Sequence, residues 1–241
     1  YRNGKFSPRF VEVLKDCHPS FLRFPGGCVV EGDVAFQYQY KWRNTVGPLE
    51  QRKQIPNVWR YMQSYGIGFY EYFCLCEDLK MAPLPVLHCG LLCQIRMGEQ
   101  RKTGYQRIMP GTSEFQTEVI DNVADLIFFA KGDVSSSDAN ESHWAKVRAD
   151  MGHPEPFELE YIGIGNENWG FEYFDNFQAC LIGVRQYMYK GRQTDLLDLF
   201  HITVVTTAGV DIRPSDSNDS WKVINEKYRD MIVDEHVYNS Y

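Results

Sequence analysis

The chain has 241 residues, 44% of them hydrophobic, and a formal net charge of -7. This length suits one large core, and the absence of any apolar run near ~20 residues gives no candidate for a membrane-spanning helix. The acidic balance does not favour nucleic acid or an anionic membrane as a partner, because both attract clustered Lys and Arg.

The first 90 residues predict a helix, a strand, a long loop, a second helix and a second strand. Pro19 discourages further helix, and Pro25-Gly26-Gly27 stops a short apolar strand. Loops longer than ~15 residues are uncommon in compact domains and are often functional, so this one is a candidate pocket wall. The predicted bounds are helix 1–19, strand 20–24, loop 28–64, helix 66–79 and strand 82–90.

The remaining chain continues the alternation of helix and strand. A helix over 114–131 has Ser113 as a candidate N-cap and Gly132 just past its end,. Such alternation predicts an α/β domain with a parallel sheet, either closed as a barrel or doubly wound. Neither nucleotide-binding glycine motif is present, which favours the barrel. The predicted bounds are loop 92–112, helix 114–131, polar loop 135–140, strand 159–167, helix 173–189, strand 199–206, helix 220–228 and strand 231–238.

Seven cysteines lack the regular spacing of a small disulfide scaffold, so reduced thiols are expected,. Cys74-x-Cys76 and Cys89-x-x-x-Cys93, with His88 adjacent, suggest a metal site at first sight. Structural zinc usually needs two to four residues within a ligand pair, which the first spacing does not supply. We therefore expect buried thiols, with no metal and no other cofactor.

The most informative stretch is L-E-Y-I-G-I-G-N-E-N-W at 159–169, an apolar strand that ends in Asn166 and Glu167. By itself this pair is also consistent with an ordinary polar strand terminus. Other predicted strands end in polar groups too, and the carboxyl ends of parallel strands meet at one face of a barrel, where α/β barrels hold their active sites. The full set is Arg23, His88, Asn166, Glu167, His236 and Tyr238.

Two features of this set indicate chemistry. Arg23 lies in an otherwise apolar strand, and it is either a salt-bridged residue at a strand end or a guanidinium that orients carboxylates beneath a pocket,. Glu167 combines a carboxyl with a neighbouring amide and nearby aromatic rings, which suits protonation of a glycosidic oxygen while the amide holds a sugar hydroxyl. Glycoside hydrolysis is therefore the favoured reaction.

Six segments in order along the chain carry a family resemblance. They are F-L-R-F-P-G-G-C at 21–28 with V-E-G at 30–32, W-R-N-T-V-G-P at 42–48, G-I-G-F-Y-E-Y at 66–72, C-E-D-L at 76–79, Y-I-G-I-G-N-E at 161–167 and V-D-E-H-V-Y at 233–238. Together they resemble the α-L-arabinofuranosidases of glycoside hydrolase family 51. The resemblance covers nearly the whole chain.

The resemblance implies a (β/α)8 barrel and a retaining exo-glycosidase. Its substrates would be the terminal non-reducing α-L-arabinofuranosyl units of arabinan, arabinoxylan and related plant cell-wall saccharides. It makes Glu167 the acid/base and Asn166 the ligand of the sugar 2-hydroxyl. It places four more residues in the substrate pocket, namely Arg23 and Cys28 after the second barrel strand and His236 and Tyr238 after the sixth.

The same resemblance implies parts that residues 1–241 do not match: a nucleophile Glu on the seventh strand, a first strand with another sugar-binding Glu, and an accessory β-sandwich domain. We therefore expect a barrel domain over 1–241 that holds roughly strands two to six and turns over little substrate by itself. Glu235 is the nearest substitute carboxylate, but strand alternation should turn it away from His236 and Tyr238. The full-length protein is a candidate homo-oligomer.

Two other functions remain open at this point. One is a noncatalytic sugar-binding remnant that keeps Asn166 and Glu167 without chemistry, and the other is an endo-acting β-glucanase of the same family. Because the chain opens at Tyr1 without an initiator Met, its start gives no information on compartment,.

Overall fold

Five parallel strands form the central sheet in a computed structural model that describes residues 5–33, 36–97, 107–210 and 214–238. The strands are β1 (Phe21–Phe24), β4 (Ala82–Leu87), β5 (Tyr161–Ile164), β8 (Thr203–Val210) and β9 (Ile232–His236), and they pair in that order. Every pairing is parallel. The predicted half-barrel of α/β type is confirmed, with strand ends that converge on one face.

Helices connect successive sheet strands and cover the sheet. The register places Leu87 beside Ile164, and Thr207 beside Asp234, so the carboxyl ends of β4, β5, β8 and β9 lie level with one another. The described helices are Pro8–Asp16, Phe69–Leu79, Gln94–Met97, Ser113–Phe115, Asp121–Lys131, Ala139–Asp150, Gly170–Arg185, Leu196–Leu199 and Pro214–Lys227, with a π-helical turn at Gln116–Ile120. Within the described ranges, no helix is long and apolar enough to cross a membrane.

The long loop after β1 is ordered by short turns and a hairpin. Its 3-10 turns are Gly27–Val30, Phe36–Tyr38, Trp42–Thr45 and Leu49–Gln51, and its hairpin pairs β2 (Ile55–Pro56) with β3 (Met62–Gln63). Trp42 is buried and packs against the rings of Phe69, Phe129 and Trp144. A Cβ added to Gly27 would meet the Trp59 ring at 3.5 Å, so the hairpin lies directly beside the end of β1.

One helix, Ala139–Asp150, was not predicted, because its first residues were assigned to a polar loop at 135–140. Its buried side chains are Glu141, Ala145 and Arg148, so no apolar stripe marks it in the sequence,. Asp138 caps its first turn, since Oδ1 accepts from the backbone N–H groups of Asn140 and Glu141,.

Several other element boundaries differ from the predicted ones. The helix predicted for 173–189 is Gly170–Arg185, because β6 (Tyr187–Tyr189) turns back to pair with β7 (Arg192–Thr194). Lys190 and Gly191 both have positive φ, as a tight hairpin turn requires,. The strand predicted at 199–206 is observed as β8, Thr203–Val210. It begins later than predicted because the short helix Leu196–Leu199, capped by Asp195, precedes it. Thr112, rather than Ser113, caps the helical segment that follows it.

Parts of three predicted elements lie outside the described residues. They are the first four residues of the helix at 1–19, residues 34–35 of the loop at 28–64 and residues 98–106 of the loop at 92–112. The described start of that loop contains the short helix Gln94–Met97. Its first residue, Gln94, contributes to the site described next.

Candidate active site

The chain turns sharply after β5, and this turn positions Asn166 and Glu167. Gly165 has φ 89°, and a Cβ there would lie 2.5 Å from Oδ1 of Asn168, so only glycine fits,. Glu167 itself has φ 54°, a conformation that is unfavourable for a residue with a Cβ,. Backbone strain of this kind persists only where the surrounding contacts fix it, so the turn is held in place from outside.

A buried layer of amides fixes the turn from below. Asn168 Oδ1 accepts the backbone N–H of Asn166 at 3.0 Å, and Asn168 Nδ2 donates to Gln94 Oε1 at 3.2 Å. Gln94 also accepts the backbone N–H of Trp169 at 2.9 Å and donates to its carbonyl at 3.0 Å. These bonds connect the turn to the segment after β4. Sequence reasoning missed both Gln94 and Asn168, for which the only signal was proximity to the predicted strand ends.

Glu167 is the centre of the site. Its side chain is 4% exposed, and Oε1 accepts from Tyr238 Oη at 2.5 Å and lies 2.9 Å from His236 Nδ1. Burial alone would raise the pKa of this carboxyl, but the hydrogen bonds from His236 and Tyr238, with the charge of Arg23, hold it below its usual value,. Glu167 is therefore ionised at neutral pH in this arrangement.

Arg23 is partly buried and oriented by two partners. Its Nε donates to Asp234 Oδ2 at 2.9 Å, and its second terminal nitrogen donates to Asn166 Oδ1 at 2.9 Å. Both roles considered for Arg23 from the sequence therefore apply, because it is ion-paired at a strand end and also orients polar groups of the site. Asn166 is fully buried, and its Nδ2 has no hydrogen-bond partner among the described residues. An N–H pair is thus left unused next to Glu167.

His236 lies between two carboxylates. Its Nδ1 is 2.9 Å from Glu167 Oε1, and its Nε2 is 3.2 Å from Asp234 Oδ1. Because both ring nitrogens face carboxylate oxygens, the doubly protonated imidazolium satisfies both contacts. The hydrogen bonds to Asp234 and then Glu167 raise the pKa of His236 to about 9. The hydrogen bond to Glu167 likewise raises the pKa of Tyr238 to about 12.

Cys28 contacts the other oxygen of Glu167. It lies in the 3-10 turn after β1, and its Sγ is 3.8 Å from Glu167 Oε2. A hydrogen bond from the Cys93 thiol lowers the pKa of Cys28 to about 7, against the opposing effect of burial and with a further contribution from Arg96. As a thiol, Cys28 donates to Glu167 Oε2, whose negative charge opposes loss of the thiol proton.

Glu31 is a second buried carboxyl close to the site. It is fully buried, and neither of its oxygens has a hydrogen-bond partner within the described part of the chain. Burial raises its pKa well above the usual value, and the negative charges of Cys28 and Glu167 act in the same direction. Glu31 is thus held in its neutral form.

The structure brings the six residues predicted to act on the sugar into one connected network. His88, which was also predicted at a strand end, lies outside this network. That histidine is buried, and its Nδ1 accepts the backbone N–H of Gly90. Burial lowers the pKa of His88 to about 4, so it is neutral. Glu235 lies on the opposite face of β9, where its Oε1 accepts from Trp221 Nε1 at 2.7 Å, which confirms the alternation expected for it. The six residues are Arg23, Cys28, Asn166, Glu167, His236 and Tyr238.

Asp234 is the main residue that the sequence missed. It follows the rule of alternation, since it lies two residues before His236 and shares its face of β9,.

The residues suggested for a metal site are separated in the fold, with Cys74 and Cys76 on the helix Phe69–Leu79. Among the residues that the structure describes, no group of three His, Cys, Asp or Glu side chains could hold a metal ion.

A buried carboxyl at the carboxyl ends of parallel strands, surrounded by amide, imidazole and phenol donors, is the arrangement of the α/β-barrel glycosidases. The comparison with known families defines the class further. The chain belongs to the α-L-arabinofuranosidase family of glycoside hydrolases, since residues 13–241 match the family described as "Alpha-L-arabinofuranosidase 1 domain". This confirms the family resemblance of the six sequence segments.

Individual relatives agree with the family match. An extracellular exo-α-L-arabinofuranosidase from Streptomyces chartreusis is 35% identical to this chain over 100% of the chain. α-L-Arabinofuranosidase 2 from Arabidopsis thaliana is 38% identical over 72% of the chain. The chain covers only 27% and 23% of those proteins. The chain therefore spans about a quarter of the length of these relatives.

Solved structures show the same fold. An arabinose-bound family 51 α-L-arabinofuranosidase superposes with a TM-score of 0.65 and 27% identity, over 83% of this chain and 28% of that one. The Thermotoga maritima α-L-arabinofuranosidase, solved with arabinose, gives a TM-score of 0.63 over 98% of this chain and 40% of that one. Its 20% identity supports the fold alone.

Proposed function

We propose that residues 1–241 form the acid/base part of the catalytic barrel of a retaining, exo-acting α-L-arabinofuranosidase. The observation that carries this proposal is Glu167, a buried carboxylate at the end of β5 that contacts His236, Tyr238 and Cys28. The family membership and the names of the relatives support the substrate, which is the terminal non-reducing α-L-arabinofuranosyl unit of arabinan, arabinoxylan and their oligosaccharides.

In the first step, Glu167 protonates the glycosidic oxygen while a second carboxylate attacks the anomeric carbon and forms a glycosyl-enzyme. That nucleophile belongs to a strand that residues 1–241 do not match, and in retaining enzymes it lies about 5 Å from the acid/base. Its negative charge would raise the pKa of Glu167 and so allow Glu167 to carry the proton. In the second step, ionised Glu167 takes a proton from water while the water oxygen attacks the anomeric carbon and displaces the nucleophile carboxylate, which releases the sugar with its configuration retained.

The remaining site residues bind the sugar or hold Glu167. Asn166 offers its unpartnered Nδ2 to the 2-hydroxyl, since its Oδ1 is occupied by Arg23. His236 and Tyr238 hold the carboxylate of Glu167, and Cys28 lines the pocket on the opposite side. The chain by itself is expected to turn over little substrate, because loss of a covalent nucleophile reduces the rate by several orders of magnitude.

The test compares hydrolysis of 4-nitrophenyl α-L-arabinofuranoside with that of a soluble β-glucan by the full-length protein. Arabinoside activity supports the proposal, and activity on β-glucan alone would instead support an endo-glucanase. Inactivity on both, in a folded protein, would indicate the sugar-binding remnant.

The role of Glu167 has its own test. Glu167→Ala is expected to lower kcat/KM on a natural arabinoside by about 10²- to 10⁴-fold, because general acid/base catalysis contributes that much. Azide should partly rescue the variant on an activated substrate and yield the α-configured arabinosyl azide. Glu235→Ala, on the opposite face of β9, is the matched control and should keep wild-type activity. An unimpaired Glu167→Ala variant would exclude Glu167 as the acid/base.

A further inference from the structure

Asp234 contacts two different elements of the site with its two oxygens. Oδ2 accepts from Arg23 on β1, with its Nε at 2.9 Å and a terminal nitrogen at 2.8 Å. Oδ1 lies 3.2 Å from Nε2 of His236, two residues further along β9. The Asp234 side chain is 24% exposed, so these contacts are only partly screened by water,.

Each of these two partners holds one member of the Asn166–Glu167 pair. Arg23 donates to Asn166 Oδ1 at 2.9 Å, and His236 Nδ1 lies 2.9 Å from Glu167 Oε1. Asp234 therefore connects to the amide through the guanidinium and to the carboxylate through the imidazole. Among the described ion pairs, Arg23 pairs with Asp234, and His236 pairs with both Asp234 and Glu167.

We propose that Asp234 is the positioning residue of this site, which aligns Arg23 and His236 so that Asn166 and Glu167 hold the geometry needed for sugar binding and proton transfer. The inference rests on the proposed function but assigns a role that family membership does not supply. Asp234 acts only through its two partners, since its oxygens are occupied by them.

The charges of the network explain why a carboxylate is needed here. The groups that face His236 are Asp234 on its own strand, Glu167 after β5 and Arg23 on β1, and those that face Glu167 include Tyr238 and Cys28. Arg23 and protonated His236 are two cations, and Asp234 and Glu167 are two anions that neutralise them. Without Asp234, one cation charge is left unbalanced, and His236 releases its proton more easily.

The consequence is measurable in His236 itself. Asp234 is the largest cause of the rise in the pKa of His236 to about 9. In Asp234→Asn, the pKa of His236 is expected to fall below about 9, so that the ring loses its charge at lower pH than in the wild type. The pKa of Glu167 then rises, since it loses a charged donor. In the proposed mechanism, the alkaline limb of the kcat/KM profile, which reports Glu167, moves to higher pH.

The experiment is made on the full-length protein with Asp234→Asn and the neighbouring Glu235→Gln as matched control. The imidazole of His236 is titrated by NMR, with its signals assigned by their absence in His236→Gln, and kcat and KM are measured across pH on an arabinoside. The expected result in Asp234→Asn is a lowered His236 pKa and a fall in kcat of roughly 10²-fold, as for a misaligned catalytic group. KM should change less, and Glu235→Gln should match the wild type.

An unchanged His236 pKa in folded Asp234→Asn overturns the inference, whatever the activity. If Asp234→Asn does not fold, Asp234→Glu is used, since it keeps the charge but lengthens the side chain; wild-type kcat in that variant would contradict a requirement for this alignment. Failure of the proposed function gives a distinct result, namely no arabinoside hydrolysis by the wild-type protein while the His236 titration still responds to Asp234→Asn.

Discussion

At the scale of single residues, the site shows how neighbours change the chemistry of ordinary side chains. The thiol of Cys28 is acidic because Cys93 donates a hydrogen bond to its sulfur, while the buried thiols of Cys76 and Cys180 have a pKa raised to about 12. Burial disfavours a charged thiolate, and only a donor or a cation reverses that effect. Cys28 is thus distinguished by its contacts rather than by its residue type.

This difference predicts the pH dependence of alkylation. Cys28 is expected to react with iodoacetamide at a rate that rises through pH 7, because its thiolate forms with a pKa of about 7 instead of 9,. The measurement is mass-spectrometric labelling in a Cys17→Ser background, since Cys17 is exposed and would react as well. Cys93→Ala should move the midpoint to higher pH. A midpoint near 9 in the protein that retains Cys93 would contradict the assigned hydrogen bond.

At the scale of elements, one buried arginine joins the ends of two helices. Arg148 is fully buried, and its guanidinium donates to the carbonyls of Phe129, Ala130 and Gly132 and to those of His153 and Pro154. The last carbonyls of a helix have no partner within the helix, and a positive charge there also opposes the helix dipole. Arg148 therefore connects the helix Asp121–Lys131 to the segment that leads into β5.

Loss of this side chain should destabilise the fold. Arg148→Ala is expected to lower the free energy of unfolding by about 3 kcal/mol or more, because it leaves several buried carbonyls unsatisfied. Arg148→Lys should recover only part of this, since an ammonium has three donors and no planar fork. Urea unfolding of the full-length protein measures the effect.

Lys146→Ala is the control for this experiment. Lys146 is on the same helix but exposed, and its ion pair with Asp150 should contribute under about 1 kcal/mol,. Equal losses for Arg148→Ala and Lys146→Ala would show that the buried carbonyl contacts contribute no more than a surface ion pair.

At the scale of the whole molecule, the sheet has two edges. Among the residues that the structure describes, β1 and β9 each have a strand partner on one side only, and each carries an exposed apolar side chain, with Phe21 57% and Ile232 47% exposed. Unpaired backbone groups beside apolar side chains favour pairing with other strands. The interior strand β8, in contrast, pairs with β5 and β9 and is buried from Val204 to Val210.

Residues 1–241 expressed alone are therefore expected to self-associate through these edges. Phe21→Lys with Ile232→Lys should increase the monomer fraction, because charged side chains on an edge oppose strand pairing. Size-exclusion chromatography with light scattering measures the distribution. Val134→Lys changes an apolar residue that is 41% exposed in a loop away from both edges, and it should have no comparable effect. A monomeric chain at all concentrations would exclude edge pairing.

Much of the site was predictable from local patterns. Apolar runs that end in polar residues predicted β1, β5 and β9, although β5 stops three residues and β9 two residues before the predicted ends. The order of strands and helices predicted a parallel sheet. The helix Ala139–Asp150 escaped prediction because its buried face carries Glu141 and Arg148, whose hydrogen-bond partners lie outside the helix. The hairpin of β6 and β7 was likewise hidden within an apparently continuous helix.

The sequence by itself determined the five strands of the central sheet and the polar residues near their ends, because these follow from the periodicity and backbone preferences of neighbouring residues. It also determined the family, through six segments in order. Only the tertiary structure decided which charges meet. Arg23 and Asp234 are separated by 211 positions, and their contact depends on β1 and β9 converging on one face of the sheet. The state of His236 and the orientation of Glu167 depend on such contacts, since electrostatic interactions act through space and not along the chain.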